Sequence, residues 1–100
     1  MSDRSERPAE KATAVMVHFG GQVQGVGFRM TAASIARGYA VTGWVKNLSD
    51  GRVQLLAEGP EEAVEAFLHD LRGRFRGYIE DEQAERREPG GQYTRFGIVH

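Results

Sequence analysis

Cysteine is absent from the 100 residues, which excludes disulfide frameworks, thiol nucleophiles and thiolate metal sites together. Long hydrophobic runs are absent too. The apolar stretches are a few residues each, against the roughly 20 that cross a bilayer, and no basic segment followed by an apolar one opens the chain. Neither a membrane span nor a secretory leader is expected. An excess of one charge is also lacking: 13 Lys and Arg stand against 14 Asp and Glu, for a formal net charge of −1. That balance creates no strong field to gather nucleic acid or an anionic membrane. A single domain of cytoplasmic type, with 40% hydrophobic residues to build its core, is the expectation.

Met1 to Lys11 balances Asp3, Glu6 and Glu10 against Arg4, Arg7 and Lys11 and offers almost nothing apolar. It is expected to be a disordered tail, with the folded domain at residues 12–100. Val15, Val17 and Phe19 alternate with Met16 and His18, the period of a strand. Phe28, Ala32, Ile35, Ala36 and Tyr39 recur at spacings of three and four and predict a helix with one apolar face. Val41 to Lys46 returns to strand character, and Ser49-Asp50-Gly51 is turn chemistry. Val53, Leu55 and Ala57 alternate again after it, so a hairpin is predicted.

Gly59-Pro60-Glu61-Glu62 signals a second helix start, with carboxylates where the helix dipole is positive, and Val64, Phe67, Leu68 and Leu71 supply its apolar stripe. Tyr78 to Glu88 is crowded with charge, so any strand there belongs at a sheet edge. Tyr93 to Val99 predicts a final strand. The order β-α-β-β-α-β with an added terminal strand is that of an α+β, ferredoxin-like split β-α-β sandwich, an antiparallel sheet carrying both helices on one face.

The segment with chemistry lies between the first strand and the first helix. Gly21, Gly25 and Gly27 let the backbone turn and approach a ligand, the helix start behind them exposes unpaired N–H groups, and the Arg29 guanidinium matches two oxygens of a phosphate or carboxylate. Two readings stand at this point: an anion cradle, or a tight structural connection beside a surface arginine. No Gly-Lys-Ser/Thr closes the loop, and its glycines do not follow the dinucleotide-binding spacing.

The run Gly21-Gln22-Val23-Gln24-Gly25-Val26-Gly27-Phe28-Arg29, followed by Gly43-Trp44-Val45-Lys46-Asn47 and Asp50-Gly51-Arg52-Val53, closely resembles the acylphosphatase family. Gly59-Pro60 and Tyr93-Thr94-Arg95-Phe96-Gly97-Ile98 extend the likeness over nearly all of the chain after the tail. The resemblance implies a ferredoxin-like enzyme that hydrolyses the carboxyl–phosphate anhydride of small acyl phosphates to carboxylate and inorganic phosphate, with no metal or cofactor. It further implies that Gln24, Gly25, Val26, Gly27 and Phe28 form the phosphate loop, that Arg29 binds the phosphate, and that Asn47 positions the attacking water. The chain departs from the family pattern at Tyr39-Ala40-Val41, where Leu-Gly-Leu/Val is usual, and in the heavy charge of its fourth strand.

Phosphoryl transfer spreads charge over the oxygens of the transferred group, so positioning and electrostatic stabilisation suffice without a covalent nucleophile. A carboxamide is no strong base, yet it accepts and donates at once and so can hold a water. The proton can then pass to a phosphate oxygen.

His18, His69 and His100 are scattered, with no metal-ligand spacing. Trp44 and Phe28 read as packing residues, and Arg72, Arg74 and Arg76 as cations complementing a helix end. Asn47-Leu48-Ser49 matches the glycosylation pattern by chance. The aromatic sheet motif of RNA-recognition domains is missing, so neither nucleic acid nor membrane is an expected partner, and a monomer is expected. The competing reading is a non-catalytic phosphate-binding or regulatory module of the same fold, since fold alone does not fix function.

Overall fold

The computed structural model describes residues 11–100. In chain order it contains β1 (Ala12–Gly21), α1 (Phe28–Ala36), β2 (Thr42–Asn47), β3 (Val53–Pro60), α2 (Glu61–Arg74), β4 (Ile79–Arg87) and β5 (Phe96–Val99). The strands form one sheet in the order β4-β1-β3-β2-β5. β1 and β2 lie on either side of β3, and β3 and β4 on either side of β1, so each helix crosses over one intervening strand. That is the split β-α-β arrangement. The pairs β1/β3, β1/β4 and β2/β3 are antiparallel as expected. β5 adds itself parallel to β2, which makes the five-stranded sheet mixed. The expected tail lies outside the described residues except for Lys11, whose carbonyl accepts the Glu61 N–H at 3.0 Å and ties the start of β1 to the start of α2.

Strand alternation sets the two faces. Val15, Val17, Phe19, Val45, Val53, Leu55 and Ala57 point to one side and are buried with Phe28, Ala32 and Ile35 of α1 and Val64, Phe67, Leu68 and Leu71 of α2. Both helices therefore pack on one face, each through its apolar stripe. The other face carries a smaller cluster of Ala14, Met16 and Leu56, over which Trp44 and Tyr93 close. Trp44 Nε1–H donates to Tyr93 Oη at 3.2 Å. Glu58, only 6% exposed, accepts the N–H groups of Gly90 and Gly91, each at 3.2 Å. These contacts draw the β4–β5 connection across the outer face and deliver β5 to β2.

Helix α1 ends without a left-handed residue. The N–H groups of Arg37, Gly38 and Tyr39 donate to the carbonyls of Ser34, Ile35 and Ala36, a run of tight three-residue turns. No described non-glycine residue has positive φ, so Ala40 is unstrained where the family places glycine. The register of β2 against β3 runs unbroken from Thr42 opposite Glu58 to Asn47 opposite Val53.

The charged fourth strand is an edge strand as expected. Its charges are met from α2: Arg72 forks onto Glu82, with Nε at 2.9 and 3.0 Å, and Arg86 reaches Glu61 at 3.2 Å, Glu65 at 3.0 Å and the Thr13 hydroxyl at 2.9 Å. Arg72 is thus committed to an intramolecular pair.

Candidate active site

β1 ends in an irregularity. Its register against β4 shifts between Gly20 and Gly21, and Gly21 takes φ 117°, bending the chain out of the sheet. The loop that follows is pinned at Val23, which is fully buried, and by Gln24. The Gln24 side-chain amide donates to the carbonyls of Leu48 at 2.8 Å and Arg52 at 2.9 Å. The loop is thereby braced against the β2–β3 turn, at the base of which Asn47 stands. The turn is itself closed by Leu48 N–H on the Arg52 carbonyl at 2.8 Å and by Asp50, which accepts from the Arg52 backbone N–H at 3.0 Å and from its Nε at 2.9 Å. The bond from the Arg52 backbone N–H is the main reason why the Asp50 carboxyl is held below its ordinary range.

Gly25 and Gly27 sit at φ 80° and 79°, and a Cβ on either would meet no atom within 4 Å. Conformation, not crowding, is what requires glycine there. Gly27 is the N-cap of α1 in the left-handed region and supplies no side-chain cap, and the first turn carries no acidic residue. The first helical bond runs from Thr31 N–H to the Gly27 carbonyl at 2.9 Å. The N–H groups ahead of it have no helical acceptor and are available to an anion. Phe28 anchors this end of the helix in the core, 2% exposed, with ring centroids 5.1 Å from Phe19 and 4.5 Å from Phe75. Its part in the loop is therefore that of its backbone. Val26 points outward and is exposed.

Arg29, on the first turn of α1, is half-buried, and no carboxylate among the described residues pairs with it. Its guanidinium lies 3.5 Å from Nδ1 of His100. Asn47, also half-buried, closes β2. Gly25, Gly27, Arg29 and Asn47 line one cavity of about 340 Å³ together with Met30, Ile98 and His100. Of the residues singled out in sequence for the site, Gly25, Gly27, Phe28, Arg29 and Asn47 line this cavity, and Gln24 and Val26 do not. Gln24 contributes from behind, as a brace, and its amide is already spent.

His100, which the sequence showed only as one of three scattered histidines, lines the cavity beside the loop. Val99 lies opposite Lys46 in the parallel β2/β5 pair, so the next residue falls level with Asn47. Ile98 arrives by the same route. Trp44 takes no part in the cavity, since it lies in the outer-face cluster. No group of three or more His, Asp or Glu among the described residues is placed to hold a metal ion, and no helix there is long and apolar enough to cross a membrane.

A glycine loop at a helix start, an arginine that no described carboxylate pairs and a nearby carboxamide are groups whose chemistry suits an anion and a water. The acylphosphatase family model matches residues 15–98. An acylphosphatase of Methylococcus capsulatus is 54% identical over 90 residues, covering 85% of this chain and 94% of that one. One from Bacillus velezensis is also 54% identical, over 52 residues that span 52% of this chain and 58% of its own length. The crystal structure of acylphosphatase from Bacillus subtilis superimposes with a TM-score of 0.80 at 36% identity, covering 88% of this chain and 99% of that one. The chain belongs to the acylphosphatase family.

Proposed function

We propose that the glycine loop, Arg29 and Asn47 are the working parts of this acylphosphatase. It hydrolyses the carboxyl–phosphate anhydride of small acyl phosphates. The observation that carries the reading is the shared cavity: Arg29 and Asn47, from different elements, both line it with Gly25 and Gly27. The loop and helix-start N–H groups and the Arg29 guanidinium bind the phosphoryl oxygens and stabilise the charge that spreads over them. The Asn47 amide holds a water in line with the bond to be broken. Oxygen of that water bonds to phosphorus as the phosphorus–oxygen bond to the acyl group breaks. The carboxylate departs with the bonding pair, and the proton of the water passes to a phosphate oxygen. Carboxylate is a good leaving group and needs no acid.

The working unit in this reading is a monomer in the cytoplasm, acting without nucleic acid or membrane; the formal net charge of −1 supports the absence of a polyanionic partner. Residues 12–100 are the catalytic domain.

The test is phosphate release from acetyl phosphate in excess chelator, together with competitive inhibition by inorganic phosphate. Arg29→Ala is expected to lose both turnover and phosphate affinity while remaining folded. Asn47→Ala is expected to lose about two to three orders of magnitude in kcat, with phosphate inhibiting at a concentration within about twofold of the wild-type value. Near-normal hydrolysis by folded Arg29→Ala, or dependence on a divalent ion, refutes the assignment. Equal losses of phosphate affinity and kcat in Asn47→Ala would move that residue into the binding role.

A further inference from the structure

Which acyl groups the cavity accepts is written in the side chains left after the phosphate has been placed. Four large hydrophobic residues are exposed among those described: Val26, Met30, Tyr78 and Val99. Single exposed apolar side chains are ordinary, but two of these four flank the phosphate loop. Val26 is 38% exposed in the loop, and Met30, 73% exposed, follows Arg29 on α1. Met30 is off the helix's buried face, which runs through Phe28, Ala32, Ile35 and Ala36, so core packing does not account for it. It lines the cavity, as does Ile98.

The charged lining is sparse. Among the described residues, Arg29 is the only Lys or Arg there, and no Asp or Glu lines it. His100 sets Nδ1 3.5 Å from the guanidinium. Once the phosphoryl group has taken Arg29, a second anionic group on the substrate finds no further Lys or Arg among the described lining residues.

We propose that the cavity selects acyl phosphates with an apolar, uncharged acyl group, which lies against Met30 and Ile98. This rests on the functional reading above and adds a substrate class to it. Thioether side chains suit such a role, because they are flexible and polarisable and make favourable contacts with aromatic rings.

The test compares kcat/KM for benzoyl, acetyl and succinyl phosphate in the wild type, Met30→Ser, Met30→Leu and Met30→Lys. The wild type should prefer benzoyl to acetyl phosphate and should gain nothing from the second carboxylate of succinyl phosphate. Met30→Ser should reduce the benzoyl-to-acetyl ratio about tenfold, the scale of losing one apolar contact of this size, and Met30→Leu should restore it. Met30→Lys should shift the ratio toward succinyl phosphate. Comparing variants cancels the intrinsic reactivities of the three anhydrides. An unchanged benzoyl-to-acetyl ratio in Met30→Ser, or a wild-type preference for succinyl phosphate, overturns the proposal while acetyl phosphate turnover keeps the hydrolase reading intact. Failure to release phosphate from any of the three overturns both.

Discussion

Replacing Gln24 with alanine separates a ligand from a brace. The Gln24 amide nitrogen donates to two carbonyls, Leu48 at 2.8 Å and Arg52 at 2.9 Å, and so joins the glycine loop to the turn that follows Asn47. A neutral hydrogen bond contributes about 0.5–1.5 kcal/mol net. Both carbonyl residues are half-exposed, so water can reach them in the variant and the loss falls toward the lower end, about 1–2 kcal/mol for the pair. In a domain of this size that lowers Tm by roughly 4–16 °C. The catalytic loss should exceed the stability loss, because the loop and Asn47 no longer share a fixed frame, and small misplacements of a positioned water cost large factors in rate.

Gln24→Glu should be worse than Gln24→Ala, since a carboxylate faces the two carbonyls with no donor and places negative charge behind the proposed anion-binding loop. Urea unfolding with an unchanged slope, run beside phosphate release from acetyl phosphate, reads both effects. If Gln24→Ala leaves the unfolding midpoint where it was and only weakens inhibition by phosphate, the side chain is a ligand and the brace is refuted.

Two further predictions concern the same frame. Gly43→Ala should destabilise by about 3 kcal/mol or more, because Gly43 has φ 133° and a Cβ there would run into the Leu56 carbonyl; a urea midpoint equal to wild type would contradict this. The Asp50 carboxyl, held down chiefly by the Arg52 N–H, should stabilise the turn fully above its unfolded value near 3.8 and lose that contribution as pH falls through its lower folded value. Titration of the Asp50 carboxyl by NMR should find it below that of Asp50 in an Arg52→Pro variant, which has no N–H to give.

Periodicity carried most of the fold. Val15, Val17 and Phe19 on one strand, and Val64, Phe67, Leu68 and Leu71 on the second helix, declare their buried faces through spacing alone, and all seven are buried. The Gly59-Pro60-Glu61-Glu62 start was legible to within a residue: Pro60 caps α2 and Glu61 and Glu62 fill its first turn. Arg29 and Asn47, which share the candidate cavity, stood out in the sequence for a different reason. Glycines that free a backbone and a cation at a helix start are local chemistry, and the likeness to the family supplied Asn47, which no local pattern marks.

The terminal strand shows where such reading stops. Its four residues, Phe96–Val99, are too few to specify a register, and a one-residue slip would turn Phe96 and Ile98 to the wrong face. What fixes the register is polar and distant in sequence: Gly43 N–H on the Arg95 carbonyl at 3.1 Å, Trp44 on Tyr93, and Glu58 on Gly90 and Gly91. None of these has a period. A buried glutamate in a strand reads as an anomaly in sequence, and only the two backbone N–H groups it receives explain why it is tolerated. Those bonds hold the β4–β5 connection to the outer face, which sets β5 against β2 and carries Ile98 and His100 to the cavity. The apolar periods therefore build the sheet and helices, while the outer-face polar contacts decide which residues complete the site.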